Sequence, residues 1–169
     1  MNFQIGEKVV YPSYGVGTVE SISARSFGSN FERFYLLRFG SGGMTVLAPL
    51  SRAASMGLRR VSKVSEISRV LSYLSCGECS VTPDWKVRFK ENSEKMRSGD
   101  LLKAAEVLKC LLLVLRVRQL SFREKRMMDI ARRLLVSEIS ISRGAPEQLA
   151  IVTLARSLEK AGLVLPRAE

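Results

Sequence analysis

The chain has 169 residues, enough for one ordinary domain or two small ones, and 46% of them are hydrophobic, enough to fill a core. The formal net charge is +11, and residues 51–169 hold 23 of the 27 Lys and Arg against 13 of the 16 Asp and Glu. A basic half favours a polyanionic partner, because neutralised phosphates release counterions; a solvated basic surface is the simpler alternative. The chain has no histidine, which excludes Ser-His and Cys-His nucleophile pairs, so we expect no enzyme.

No segment has the ~18 consecutive apolar residues that a membrane span needs. The N-terminus has neither a cationic n-region nor an apolar h-region, so we expect a cytoplasmic protein without a membrane partner. Cys76-Gly-Glu-Cys79 has the spacing of half a zinc site, but Cys110 is the only further thiol. We therefore interpret the CxxC as an ordinary loop and expect no metal and no cofactor.

Residues 1–50 are predicted to form short strands between glycine-rich turns. The strand-like runs are Lys8–Tyr11, Thr18–Ile22, Phe34–Phe39 and Met44–Ala48. Their length and spacing predict a small antiparallel barrel over residues 1–52, followed by a linker over residues 53–62 around Gly57. Such a small sheet leaves strand edges available to a partner.

Residues 63–165 are predicted to form an all-α domain of about five helices. Ile67, Val70, Leu71 and Leu74 mark the apolar face of the first. The second is expected to start at Thr82-Pro83 and to end near Arg97. The remaining start signals are Asp100, the capping box Ser121-x-x-Glu124, and Ala145-Pro146-Glu147, with the last helix ending near Gly162.

The start of the second helix carries the only tryptophan, Trp85, within a stripe that also contains Arg88, Phe89 and Asn92. Lys86 and Lys90 form a neighbouring cationic row. A helix N-terminus attracts phosphate, and an aromatic ring beside it can wedge against bases. The alternative is that Trp85 is a core anchor, which is the usual situation of large aromatic residues.

The first turns of the fourth helix are also basic, with Arg123, Lys125 and Arg126 close together. Cations at a helix N-terminus oppose the helix dipole, and this small cost hints at a polyanionic partner. A solvated face remains the alternative for this cluster.

Taken in order, these residues resemble the CarD/CdnL family of bacterial RNA polymerase-binding regulators over about residues 1–140. The N-terminal signatures are Phe3-x-x-Gly6-x-x-Val9-Val10-Tyr11-Pro12-x-x-Gly15 and Met44-Thr45-Val46-x-x-Pro49. The C-terminal signatures are Trp85-x-x-Arg88-Phe89-Lys90-x-Asn92, Ser98-Gly99-Asp100, Ala105-Glu106-Val107, Leu120-Ser121-x-x-Glu124-Lys125-Arg126-Met127 and Glu138.

The resemblance implies an α+β protein with a Tudor-like or SH3-like N-terminal barrel that docks on the polymerase β subunit, and a helical domain that contacts promoter DNA at the upstream edge of the bubble. It implies a nucleoid-associated protein that acts through polymerase, and nothing suggests that it is other than a monomer. The implied DNA-binding residues are Trp85, as a minor-groove wedge, with Lys86, Arg88, Lys90, Lys125 and Arg126. The implied polymerase-binding residues are Arg25, Ser26, Phe27 and Leu47.

Two positions depart from the family pattern. Leu47 stands where relatives often have arginine, and Val87 stands where some relatives place a DNA-contacting arginine.

The main alternative to a polymerase-binding regulator is a general basic module that binds RNA or the ribosome. A zinc or thiol protein that uses Cys76 and Cys79 is a third, weaker hypothesis.

Overall fold

The computed structural model describes residues 2–12, 14–40 and 42–167. For Phe27 it describes the backbone alone, so the prediction for that side chain lies outside the described structure. The chain forms two compact units, Met1–Val61 and Ser62–Glu169. The first is built from antiparallel strands and the second from helices, which confirms the predicted α+β class.

The first unit is a five-stranded antiparallel sheet. Its strands are β1 (Lys8–Tyr11), β2 (Gly15–Phe27), β3 (Asn30–Phe39), β4 (Met44–Pro49) and β5 (Arg59–Arg60). The order is β4-β3-β2-β1-β5, and no pairing joins β4 to β5 among the described residues. The predicted small antiparallel barrel is therefore present as a five-stranded antiparallel sheet that is not closed and whose two edges are β4 and β5.

The predicted linker over residues 53–62 belongs mostly to the sheet unit instead. Ala53 and Leu58 are buried in the same core as Val9, Tyr35 and Leu37. The β5 strand that follows pairs with β1. The sequence pattern missed this because two buried residues and a two-residue strand give no detectable period.

Strands β2 and β3 extend beyond their neighbours and form a protruding arm. The pairing of β1 with β2 stops at Thr18, and the pairing of β4 with β3 starts at Phe34. Beyond these points β2 and β3 pair only with each other, from Ala24 to the turn at Gly28, whose φ of 63° favours glycine. We call residues 24–33 the β-arm.

The second unit contains the five predicted helices. They are α1 (Val64–Cys76), α2 (Trp85–Arg97), α3 (Leu101–Leu115), α4 (Phe122–Arg143) and α5 (Glu147–Lys160). The central helix is α3, which packs against α1, α2 and α4 and buries ten of its fifteen side chains. The predicted start of α2 was two residues early, because Asp84 and not Thr82 is the N-cap.

Candidate nucleic-acid interface

The start of α2 is capped by its own chain. The Asp84 carboxylate accepts the N–H groups of Lys86 and Val87 at 2.8 and 3.0 Å. These are the donors that a phosphate at the helix N-terminus would use. The predicted phosphate site on these amides is therefore corrected, because the Asp84 side chain occupies them.

Trp85 lies outside the core. It is 52% exposed, and the Lys86 ammonium lies 5.8 Å from the centroid of its ring, within cation–π range. The alternative that Trp85 anchors the core is contradicted by this exposure. Lys86 and Lys90 are exposed beside it, and Val87 is exposed as well. The first turn of α2 thus presents an indole ring and cations to solvent.

Arg88 was predicted to belong to this basic surface, and the structure buries it instead, at 2% exposure. Its guanidinium donates to the carbonyls of Thr82 and Pro83 at 2.7 and 3.1 Å. It also pairs with the Glu124 carboxylate at 2.8 Å. Arg88 therefore fixes the segment that leads into Trp85 and is not part of the exposed basic surface.

Glu124 completes this buried network from the first turn of α4. Its carboxylate accepts the Ser121 N–H and hydroxyl, both at 3.0 Å, which confirms the predicted capping box. The half-exposed Arg118 lies 3.3 Å away. Burial opposes ionisation of this carboxyl, but the hydrogen bonds from Arg88 and Ser121 outweigh it and lower the pKa of Glu124.

The Arg88–Glu124 pair brings the first turns of α2 and α4 together at one end of the helical unit. We call the exposed cations there the basic end. They are Lys86, Lys90, Arg116, Arg118, Arg123, Lys125 and Arg126. Sequence reasoning named the cations of α2 and α4 separately, and the buried ion pair is what makes them neighbours.

Two exposed apolar side chains at this end were missed by the sequence analysis. Phe122 is 80% exposed at the first position of α4, and Val117 is exposed in the turn after α3. The helical period could have found Phe122, because it lies far from the face defined by Met128 and Ala131. An exposed aromatic beside cations suits contact with bases or sugars.

The predicted polymerase-binding residues lie on two features of the sheet unit. Arg25 and Ser26 are exposed on the β-arm, opposite Glu32 and Phe31. Leu47 is half-buried on the edge strand β4 and pairs with Leu36. On β3 the partner of Leu47 is four residues away from the partner of Arg25, so the two positions are separated by roughly 13 Å along the strands.

Nothing in the described parts of the chain indicates a metal centre or a membrane span. No group of three or more His, Cys, Asp or Glu side chains is arranged there to hold a metal ion. None of the described helices has both the length and the apolar character required to cross a bilayer.

Comparison with known proteins follows the division into two units. Residues 3–62 match the model of the CarD-like/TRCF RID domain, and residues 69–155 match that of the CarD C-terminal domain. A Bacillus subtilis (strain 168) protein named "Putative transcription factor YdeB" is 32% identical over 146 residues, which cover 86% of this chain and 95% of that protein. These matches define a transcription regulator with a domain of the RNA polymerase-interacting type. The chain belongs to the CarD family.

Proposed function

We propose that this regulator binds the RNA polymerase β subunit through its sheet unit and promoter DNA at the upstream edge of the transcription bubble through its basic end. Trp85 enters the minor groove there and stabilises the open complex. The protein acts in the cytoplasm as a monomer, without a cofactor and without enzymatic activity. The observation that carries this proposal is Trp85, half-exposed on a helix start that a buried ion pair holds in place.

The way in which the backbone at Trp85 is fixed suits a side chain that inserts between bases. Arg88 ties the carbonyls just before Trp85 to α4, so the helix start cannot shift without breaking a buried ion pair. Because the backbone that carries the ring is already fixed, stacking against a base costs less conformational freedom than it would from a mobile segment. Base–aromatic stacking is worth about 1–3 kcal/mol, comparable with the cost of unstacking one step.

The basic end supports contact with phosphates more than reading of bases. Its exposed groups are Lys and Arg, which fix a protein on the duplex backbone, and the nearby carboxylates of Asp84 and Glu124 are occupied in capping. Binding to isolated DNA is therefore expected to be weak, largely independent of sequence, and steeply dependent on salt.

Removing two cations of the basic end is expected to reduce this salt dependence. In a Lys125→Ala/Arg126→Ala variant the slope of log K against log salt should fall by about 2, because each phosphate contact contributes about 0.9. The matched control is Arg156→Ala/Lys160→Ala, which removes the same charge from exposed positions of α5. Fluorescence anisotropy across a salt series measures both; equal slopes for the two variants would contradict the assignment of the basic end.

Polymerase binding is assigned to the β-arm and to the edge strand β4. An unpaired edge can add a strand from a partner, and the exposed side chains of the arm then set specificity. The half-buried Leu47 makes the β4 contact more apolar than an arginine would at this position.

Reversing the charge of Arg25 is expected to weaken binding of the β subunit at least about tenfold, because like charges at an interface cost several kcal/mol. Arg33→Glu is the matched control. Arg33 is exposed on the same arm, but it pairs with Ala24 and so lies on the face opposite to Arg25.

Surface plasmon resonance against isolated β subunit, with no nucleic acid present, measures both affinities. Equal weakening by both variants would remove the face of Arg25 from the interface. If the wild-type protein does not bind β in the absence of nucleic acid, the result favours the alternative hypothesis of a general module that binds RNA or the ribosome.

A further inference from the structure

A cavity of about 530 Å³ lies between α1 and α5 in the helical unit and is open to solvent. Three of its lining residues are cations: Arg143 at the end of α4, and Arg156 and Lys160 on α5. On α5 the lining positions 153, 156, 157 and 160 are spaced i, i+3, i+4 and i+7, so they share one face of the helix. We call this space the α1–α5 cavity, and none of its lining residues belongs to the basic end.

The charge around the α1–α5 cavity is of one sign. Among the described residues no Asp or Glu lines it, and the ion pairs found there all involve cations other than Arg143, Arg156 and Lys160. A cation in the last turn of a helix offsets the helix dipole, which accounts for Arg143 and Lys160 but not for Arg156. Three positive charges around one cavity favour an anion there.

Ser157 adds a buried hydroxyl to the lining. The residue is 9% exposed, and in the described part of the chain its hydroxyl forms no hydrogen bond. Other helix hydroxyls donate to the carbonyl four residues earlier, as Thr153 does to Leu149 and Ser75 does to Leu71, both at 2.8 Å. Because its own helix does not use the Ser157 hydroxyl, this group is available to an oxygen of a ligand.

The end of α1 that borders the cavity has its negative charge offset. Carbonyl groups at a helix C-terminus carry partial negative charge, which would oppose binding of an anion. The buried Lys109 ammonium donates to the carbonyls of Tyr73, Leu74 and Gly77 at 3.0, 3.2 and 2.6 Å. This positive charge compensates the helix end, so α1 does not cancel the attraction of the three cations.

We propose that the α1–α5 cavity binds a small polyphosphate, either inorganic pyrophosphate or the phosphate chain of a nucleoside triphosphate. Arg143, Arg156 and Lys160 bind its oxygens through charge-assisted hydrogen bonds, and the Ser157 hydroxyl donates one more. The volume is that of a site for a small ligand. No aromatic side chain lines the cavity among the described residues, so the phosphates are recognised and a base is not stacked.

Isothermal titration calorimetry of the full chain in magnesium-free buffer tests binding. Pyrophosphate and ATP are titrated separately; binding of either supports the proposal, and the tighter of the two identifies the source of the phosphates. In Arg156→Ala/Lys160→Ala, binding should weaken at least about tenfold, because hydrogen bonds to charged groups are lost. The matched control is Lys103→Ala/Arg133→Ala, which removes the same charge from exposed positions that do not line the cavity.

Two results of this titration would overturn the proposal. The first is that neither pyrophosphate nor ATP binds to wild type. The second is that both double variants weaken binding equally, because the attraction would then come from the net charge of the chain and not from the cavity. Citrate, a polyanion without phosphates, should bind more weakly than pyrophosphate, and equal affinity would contradict recognition of phosphate.

Ser157→Ala tests the buried hydroxyl without a change in charge. Loss of one hydrogen bond should weaken pyrophosphate binding about 2- to 10-fold. Urea unfolding checks that the variant is folded as wild type is. An affinity equal to that of wild type in the folded variant would show that the anion does not reach Ser157 and would overturn the proposed site.

The thiol of Cys76 reports where the anion binds, because it is exposed and lines the cavity, whereas the half-buried Cys79 does not line it. Saturating pyrophosphate should slow alkylation of Cys76 by iodoacetamide and leave the rate at Cys79 unchanged, as measured by peptide mapping. An unprotected Cys76 would place the anion elsewhere and overturn the proposal. Displacement of pyrophosphate by duplex DNA would do the same, because the cavity would then hold the DNA backbone.

Discussion

Replacing Glu124 by alanine is expected to lower the free energy of unfolding of the helical unit by about 3–5 kcal/mol. The reason is that the Arg88 guanidinium, 2% exposed, would be left buried without its counter-charge. The capping box of α4 would be lost with it. Urea unfolding followed by tryptophan fluorescence measures the change, because Trp85 is the only tryptophan and reports on this unit alone.

Arg118→Ala is the matched control for this variant. Arg118 also contacts the Glu124 carboxylate, at 3.3 Å, but its side chain is 45% exposed, so its loss should cost less than about 1 kcal/mol. Should Glu124→Ala be too unstable to purify, Glu124→Gln keeps the shape and part of the hydrogen bonding. Similar losses for Glu124→Ala and Arg118→Ala would contradict the role assigned to the buried pair.

The pH dependence of the free energy of unfolding gives an independent check of the role of the Arg88–Glu124 pair. The pKa of Glu124 is lowered in the folded chain from an ordinary value of 4.5, so the folded state binds its proton less readily than the unfolded state does. Its contribution to stability is therefore fully present well above pH 4.5 and is lost as the pH falls through the folded pKa. In Glu124→Gln this part of the acid-induced loss should disappear.

The second large effect is expected from Trp85→Ala in the assay of open-complex lifetime. Losing a stacked indole worth about 1–3 kcal/mol should shorten the lifetime roughly 5- to 160-fold relative to wild type, up to the limit set by polymerase alone. Polymerase binding should not change, because the sheet unit is untouched. Dissociation from a linear promoter fragment, challenged with heparin, measures the lifetime with and without the protein.

The Trp85→Phe variant tests whether stacking of an aromatic ring is what stabilises the open complex. Phenylalanine retains an aromatic ring that can stack, so this variant should keep a measurable part of the effect. Both variants should unfold close to wild type in urea, followed by circular dichroism, because the indole is half-exposed and anchors little of the core. A wild-type lifetime in folded Trp85→Ala would remove the wedge from the proposed function.

Local signals in the sequence were sufficient for most of the fold. Asp100 and the Ser121–Glu124 box predicted helix starts correctly, because caps are made between residues two or three positions apart. The apolar period of α1 predicted its buried face for the same reason. The concentration of positive charge in residues 51–169 is also a property of the sequence alone.

Tertiary structure decided which polar residues face solvent and which meet inside. Arg88 and Lys86 look equally suited to DNA in the sequence, but Arg88 is buried because Glu124, 36 residues away, supplies its counter-charge. Such pairings depend on how helices pack, and no local periodicity encodes them. Sequence by itself therefore determined the family, the helices and the positive charge; the tertiary structure determined which residues form the site.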